Sequence, residues 1–318
     1  MANYIVRRLM LFIPTLLLVT IIIFCAVRFI PGSVIELMAA ETGEAENMEA
    51  SVELIKHQLG LDVPIYVQYG RWLSGVFRGD LGKSLWTGRS ITEELGGKLP
   101  VSTELGILAI ITGLLIALPI GIFSAIRQDT FGDYLGRTIA ILCISVPAFW
   151  LATLVIVYPS VWFGWTPSME YIPFFSEPLG NLAQFIIPAI LMGMVMSGTT
   201  MRMTRTMMLE VLRQDYIRTA WSKGLREGVI VSRHALKNAL IPVVTIVGLQ
   251  IPILVGGAVV IETIFGLPGI GRYFVEALFR RDYPVISSVN LIVAGVVMLC
   301  NLGVDIIYAY LDPRVQYK

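Results

Sequence analysis

Long blocks without any charged residue alternate with shorter polar segments along this chain. Six uncharged blocks of at least 19 residues occur, and about 20 apolar residues are enough for a helix to cross a bilayer. They are Leu9–Val27, Leu105–Ile126, Thr138–Met169, Pro178–Met201, Asn238–Ile261 and Tyr283–Val304. The pattern predicts an all-α polytopic membrane protein with about six transmembrane helices.

The block Thr138–Met169 has 32 residues, which is too long for one straight span. Proline disrupts helix interiors, so we predict that its helix is kinked at Pro147 and ends near Tyr158, broken by Pro159. For the second block, the run from Pro100 to Thr103 is expected to start the helix.

Composition agrees with a bilayer as solvent, because only 15% of residues are charged where soluble proteins average about 25%. Cys25, Cys143 and Cys300 lie in three separate apolar blocks, so we expect packing residues and neither a metal site nor a disulfide.

Arg7 and Arg8 precede the first block as in a signal peptide. That block is longer than the 7–15 residues of a signal-peptide core, so we predict a retained span.

The distribution of cations predicts the orientation of these helices. Eight lysines and arginines lie between the fourth and fifth blocks, whereas residues 159–177 hold none. The eight are Arg202, Arg205, Arg213, Arg218, Lys223, Arg226, Arg233 and Lys237. By the positive-inside rule this loop is cytoplasmic and, with six spans, so are both termini. One external loop holds three arginines and is a local exception to the positive-inside rule: Arg272, Arg280 and Arg281.

Three regions follow from this topology. Residues 1–30 form the N-terminal tail and first transmembrane helix, and residues 31–98 form an extracytoplasmic insertion. Residues 99–318 form the core domain with five helices and the cytoplasmic loop 202–237. Ser51–Leu59 and Pro64–Phe77 have helical apolar spacing, so a small helical cap is expected, with its five glutamates in residues 41–53 the most mobile part.

The cytoplasmic loop 202–237 contains the most informative motif. Asp215–Lys223 is predicted to form a short helix that Gly224 ends as a C-cap, and a second helix is expected from about Val229 into the fifth span. Ile217, Ala220 and Trp221 share one face at i, i+3 and i+4. Such a helix suits a groove on a soluble partner, and from the pattern alone a membrane surface whose anionic headgroups meet its arginines is the somewhat better fit.

This loop resembles the coupling motif of ATP-binding-cassette importer permeases, in the form found in the dipeptide/oligopeptide, nickel and glutathione family. Residues 202–237 are therefore called the coupling segment below. The matching residues are Tyr216, Arg218, Thr219, Ala220, Lys223, Gly224, Leu225 and the run from Arg233 to Pro242. Gly224 and Pro242 are 18 positions apart. The general importer motif has a shorter separation, so the chain follows the peptide-family form.

The resemblance extends over nearly the whole chain and is closest to the first of that family's two permease subunits. Further matching motifs are Arg7–Leu9, Ile13–Thr15, Leu59–Asp62 with Pro64, Gln68–Tyr69, Gly79–Gly82 with Ser84, Ser145–Trp150, Glu262–Phe265, Pro268–Gly271 and Leu311–Arg314. Val101–Leu105 departs from the family's usual sequence after its Leu-Pro, which does not affect the assignment.

The resemblance implies a non-catalytic inner-membrane subunit, with ATP and Mg bound by partner ATPases and no cofactor on this chain. The implied partners are a second homologous permease, two cytoplasmic ATPases, an extracytoplasmic substrate-binding protein and membrane lipid, but no nucleic acid. The implied ATPase-coupling residues are Tyr216, Ile217, Arg218, Thr219, Ala220, Trp221, Lys223, Gly224 and Leu225. Glu262, Gly269 and Gly271 are expected in a tight turn near the outer mouth of the pathway.

Other functions fit the sequence less well. Gly79–Ser84 resembles a phosphate-binding loop, but Phe77 occupies the position of its first glycine, so we expect an external turn. His57 and His234 form no catalytic motif. A secondary transporter would need ionisable groups near mid-span, and the six blocks contain none. Peptides are the expected cargo, with a same-family importer of nickel or glutathione as the alternative.

Overall fold

The computed structural model describes residues 2–28, 62–168 and 170–311, and every regular element in this part of the chain is a helix. Its elements are α1 (Ala2–Arg28), α2 (Ile65–Phe77), α3 (Ile91–Ile126), α4 (Phe131–Ser145), α5 (Ala148–Phe163), α6 (Pro178–Leu212), α7 (Asp215–Ser222), α8 (Glu227–Val229), a π-helix (Ile230–Ala235), α9 (Leu236–Phe265), α10 (Ile270–Phe279) and α11 (Tyr283–Leu311). Among these residues the one β-type contact is an isolated bridge between Lys83 and Ser90. The predicted all-α class is confirmed.

Five helical stretches are long and apolar enough to cross a membrane. They are Met10–Val27, Ile91–Ile126, Pro178–Leu212, Glu227–Phe265 and Tyr283–Ile306. Together α4 and α5 pass the same test as a pair, although a sharp bend separates them. The described residues therefore contain five spans, or six if the bent pair crosses once, which agrees with the predicted number.

The predicted start of the second span was wrong. α3 begins at Ile91, about nine residues before Pro100, and continues through that proline. Its first turns hold Ile91 and Leu95, which are 0% and 3% exposed. Burial of these two side chains stabilises the extra turns and outweighs the hydrogen bond that Pro100 cannot donate.

The predicted geometry of the third span was also wrong. The chain does not merely kink at Pro147: α4 ends at Ser145, α5 starts at Ala148, and their axes differ by 93°. Val146 is extended, as is usual before proline. Pro159, predicted to end the helix, lies inside α5, and Gly164 ends it instead in a left-handed conformation at φ 65°.

Two further helices extend beyond their uncharged blocks. α6 continues past Met201 to Leu212 and so includes Arg202 and Arg205, both assigned from sequence to the loop. A continuous helical stretch, with its π-helical section, runs from Glu227 through α9. The coupling segment is therefore helical over most of its length.

The chain divides into two compact units, the first of which comprises Val101–Gly271 and the residues from Leu299 onward. Its largest core cluster joins side chains of α3, α5, α6 and α9, including Leu105, Phe185 and Met196. α3 and α6 approach closely at Gly113 and Gly193. A Cβ on Gly193 would lie 2.9 Å from the Gly113 nitrogen, so small residues are needed there.

The second unit comprises Ala2–Pro100 and Arg272–Met298. Its loop after α2 is held by Asp282, 3% exposed, which accepts hydrogen bonds from the Ser84 hydroxyl at 2.6 Å and the Leu85 N–H at 3.2 Å. Tyr273 donates to Glu94 in the same unit, and burial together with that carboxylate raises the pKa of Tyr273. The phenol therefore stays protonated and remains a donor at neutral pH.

Two predictions for the external insertion are tested here. The helix expected over Pro64–Phe77 is confirmed as α2. Gly79–Ser84 forms a turn, as expected, in which Asp80 Oδ1 accepts the Gly82 N–H at 2.9 Å and both glycines have positive φ. The predicted helix Ser51–Leu59, the five glutamates, His57 and the motif residues Asp312–Arg314 lie outside the described residues. The three-region division of the chain stays a prediction.

Candidate coupling segment and outer turn

The short helix predicted within the coupling segment is confirmed as α7. It ends in a Schellman motif: the Leu225 N–H bonds to the Ala220 carbonyl at 3.4 Å and the Gly224 N–H to the Trp221 carbonyl at 2.9 Å. Gly224 adopts φ +75°, a conformation that costs other L-residues about 1–2 kcal/mol. Glycine at 224 thus fixes where the helix stops and the chain turns.

The surface of α7 divides differently from the predicted single apolar face. Ile217 and Ala220 are 0% and 7% exposed and pack into the chain's own core, whereas Trp221 is 48% exposed. The cluster around them also includes Met208 of α6, Ala125 of α3 and Ala239 of α9. Ile217 and Ala220 therefore anchor α7, and their side chains are not available to a partner in this conformation.

The π-helix holds the other side of α7. The Tyr216 hydroxyl accepts a hydrogen bond from the Asn238 amide at 2.8 Å and donates to the His234 carbonyl at 3.5 Å. π-Helical turns are rare and recur at functional sites because they distort the regular ladder. Here the turn Ile230–Ala235 contributes buried Ile230 and Ala235 to the cluster that anchors α7.

The outward side of the segment is basic with two aromatic residues. Tyr216 and Trp221 are 43% and 48% exposed. Arg218 is 75% exposed and pairs at 3.5 Å with Asp215, itself 96% exposed. Lys223, Arg226 and Arg233 are exposed as well. Such an ion pair contributes little to stability, so Arg218 is free to exchange its partner.

The structure brings the three predicted residues of the outer turn together. Glu262 is 0% exposed near the end of α9 and accepts the Gly271 N–H at 2.8 Å and the Ser102 hydroxyl at 2.6 Å. The Ser102 oxygen accepts the Ile270 N–H at 2.8 Å. The Glu262 carboxylate and the Ser102 hydroxyl therefore each accept a backbone N–H from the first turn of α10. A buried carboxylate is stabilised there by donors and by the positive end of the helix.

Both glycines of this turn are required by close packing. A Cβ on Gly269 would overlap the Glu262 carboxylate, and one on Gly271 would lie 2.9 Å from the Val259 nitrogen. The predicted buried turn is thus present. Its position at the outer mouth of a pathway remains a prediction.

Sequence reasoning missed a buried charge cluster around Asp133, which is 0% exposed at the start of α4. Its partners include Arg137 and Arg205, from α4 and α6. The available signal was the pair Asp133 and Arg137, which lie four residues apart directly before the uncharged block that starts at Thr138. Within the described ranges no three side chains form a metal-binding group.

Comparison with protein families assigns both parts of the chain. Residues 117–317 match the family described as the binding-protein-dependent transport system inner membrane component. Residues 1–99 match its N-terminal region. The two matches together leave residues 100–116 and the last residue, Lys318, without one.

Curated relatives are similar over their full length. A dipeptide transport system permease protein of Alkalihalophilus pseudofirmus is 42% identical over 337 aligned residues, covering 100% of both chains. A glutathione transport system permease protein of Salmonella typhimurium is 37% identical over 318 residues, again with 100% of both covered.

A solved structure has the same fold over most of the chain. The inward-facing MetNI methionine ABC transporter superposes with a TM-score of 0.55 and 18% identity, covering 69% of this chain and 96% of the transporter chain. At this identity the likeness supports the fold alone.

Proposed function

Because the chain belongs to the family of binding-protein-dependent transport system inner membrane components, we propose that it forms half of the translocation pathway of an ATP-driven peptide importer. Membership makes it a multi-pass permease subunit of an ATP-binding-cassette importer and not a secondary transporter. Peptides are the proposed cargo because relatives at 37–42% identity include dipeptide permeases of two species.

The chain itself is a non-catalytic membrane component. Hydrolysis is assigned to two partner ATPases, which bind ATP and Mg, and the chain binds no cofactor of its own. A second homologous permease would complete the pathway, and an extracytoplasmic binding protein would deliver the cargo. Both termini and the coupling segment are placed in the cytoplasm by the positive-inside rule.

The observation that carries the coupling role is the division of α7 into an anchored side and a free side. Ile217 and Ala220 are buried in a cluster shared with α3, α6 and α9, so a force on α7 is passed to three spanning helices. Trp221 and Arg218 are exposed and lie one turn apart, which suits a groove with an acidic rim.

The proposed contacts with the ATPases therefore come from the exposed residues of the segment. They are Tyr216, Arg218, Thr219, Trp221, Lys223 and Gly224, with half-buried Leu225 at the edge. Closure of the ATPases would move α7 as a rigid element and shift the pathway between inward- and outward-open states. A membrane-surface role for the same basic face is the competing hypothesis.

The outer turn is proposed to be a rigid support at the external end of the pathway. Glu262 joins α9 to the first turn of α10 and, through Ser102, to α3. Since its carboxylate is enclosed by these donors, we assign it to holding the turn and not to binding cargo.

Uptake in a deletion strain tests the function and the cargo together. Cells lacking this chain should lose uptake of radiolabelled di- and tripeptides, and the wild-type chain should restore it. Loss of nickel or glutathione uptake with normal peptide uptake would favour the same-family alternative. Uptake that persists without ATP but follows the proton gradient would contradict the importer assignment.

A further inference from the structure

Both carboxylate oxygens of Asp133 accept several hydrogen bonds. Its Oδ1 accepts hydrogen bonds from Arg205 Nε at 2.8 Å, Arg137 Nε at 3.0 Å and the Ser124 hydroxyl. Its Oδ2 accepts from Arg205 Nη2 at 2.8 Å, the Asp129 N–H at 3.0 Å and Arg137 Nη2. Both guanidinium groups bind in the two-pronged manner that fixes direction as well as distance.

This cluster, called the Asp133 clamp below, is electrically neutral. Arg137 also pairs with Asp129 at 3.2 Å, so two carboxylates balance two guanidinium groups. The exposed fractions of the side chains are 0% for Asp133, 19% for Arg205 and 36% for Arg137. A buried ion cluster of this kind adds little net stability compared with apolar residues of the same size. Its contribution is therefore to fix the relative positions of the helices that carry it.

The clamp joins three helices at one level. Ser124 belongs to the last turn of α3, Asp133 and Arg137 to the first turns of α4, and Arg205 to the last third of α6. From Arg205, α6 runs seven residues to Leu212, and α7 begins three residues later. At about 1.5 Å per residue the clamp is therefore some 10 Å along the helix from the turn into α7.

α4 is absent from the cluster that anchors α7. That cluster draws its buried residues from α3, α6, α7, the π-helix and α9. α4 instead packs along α6 through small residues: a Cβ on Gly198 would lie 2.6 Å from the Ala140 carbonyl, and Cys143 and Met201 border the same contact. Small side chains allow close approach but do not by themselves fix how far one helix slides along another.

We propose that the Asp133 clamp sets the axial register of α4 on α6, so that movement of α7 is transmitted to the bent span α4–α5. Asp133, Arg137 and Arg205 are then positioning residues for transport, acting through α6 on a helix that α7 does not itself anchor. The proposal rests on the proposed function, because it assigns a route for the force that the ATPases exert.

The test uses the complete transporter in proteoliposomes and measures substrate molecules imported per ATP hydrolysed. The triple variant D133L/R137M/R205M removes all three charges together, which leaves no unpaired buried ion. We expect it to assemble and to import at least five-fold less substrate per ATP. The control Glu276→Gln removes an exposed ion pair with Arg272 and should match wild type.

A second variant separates register from folding. Arg205→Lys keeps the charge but loses the planar fork, so the assembled complex should also lose coupling. Wild-type import per ATP in either assembled variant would overturn the proposal, and so would failure of both variants to assemble, because the clamp would then serve folding alone. Absence of ATP-driven import by the wild type would instead overturn the proposed function.

Discussion

The hydroxyl of Tyr216 in α7 accepts a hydrogen bond from the side-chain amide of Asn238 in α9, at 2.8 Å. The two residues are 22 positions apart, and both belong to the motif that identified the coupling segment. The bond ties the outward side of α7 to the base of a spanning helix. This hydrogen bond therefore holds α7 in place in addition to the buried apolar side chains of Ile217 and Ala220.

Tyr216→Phe should remove this hydrogen bond without disturbing assembly. A hydrogen bond of this kind contributes about 0.5–1.5 kcal/mol, so we expect ATP hydrolysis stimulated by loaded binding protein to fall about two- to ten-fold. Asn238→Ala should have a similar effect, and the double variant should be no worse than either. Fully additive losses would show that the two side chains act independently.

Gly224 should tolerate only residues that adopt a left-handed backbone. Nothing lies within 4 Å of a Cβ built there, so the restriction is conformational and not steric. Gly224→Asn should keep most transport, whereas Gly224→Val should reduce stimulated hydrolysis at least ten-fold, because α7 can no longer end at Ser222. Gly224→Glu, which adds an anion to the basic face, should assemble and yet abolish stimulation.

Equal activity of the asparagine and valine variants would contradict the role of the C-cap. Membrane levels of the complex, measured in parallel, distinguish lost coupling from lost protein. Normal uptake by Gly224→Glu would refute docking through this surface.

Gly269→Ala should destabilise the outer turn, because the added methyl overlaps the buried Glu262 carboxylate. We expect a loss of about 1–3 kcal/mol, seen as a lower melting temperature of the purified complex. Gly257→Ala in α9 is the matched control, since nothing lies within 4 Å of its Cβ. That variant should be neutral or slightly stabilising, and equal melting temperatures for both would contradict the packing described.

Asp282→Ala should loosen the loop of residues 79–90 in the second unit. It leaves the Ser84 hydroxyl and the Leu85 N–H without their acceptor, which costs about 1–3 kcal/mol. Hydrogen exchange of residues 81–88 should accelerate, while α6 stays protected. Exposed Glu93→Gln is the control and should leave exchange unchanged; unaltered exchange in Asp282→Ala would show that the loop is held by other contacts.

Periodicity and block length predicted the class of fold because apolar blocks are a direct consequence of the bilayer. They did not predict the residues at which individual helices begin and end. α3 starts before Pro100 because Ile91 and Leu95 are buried, and α6 continues through Arg202 and Arg205 because a helix end need not coincide with the first charge. Helix limits depend on tertiary contacts that a local pattern does not contain.

The sequence predicted where the coupling segment lies in the chain, but it did not predict which of its side chains are exposed. Spacing placed Ile217, Ala220 and Trp221 together, yet only the fold decides that the first two are buried by α3, α6 and α9. Asp133 was missed for the same reason, because Arg205 is 72 residues away in sequence. Glu262, Gly269 and Gly271 were grouped correctly, since a turn between two helices brings near neighbours together.

Site-specific photo-crosslinking tests the central claim, which is that the partner ATPases bind the exposed side of α7. A photoreactive amino acid at Trp221 in the assembled transporter should give an adduct with an ATPase subunit. The same probe at Phe175, 97% exposed in the loop before α6, should give none. Adducts at Trp221 with lipid only, or labelling of position 221 by a reagent confined to the outside of the cell, would contradict the account.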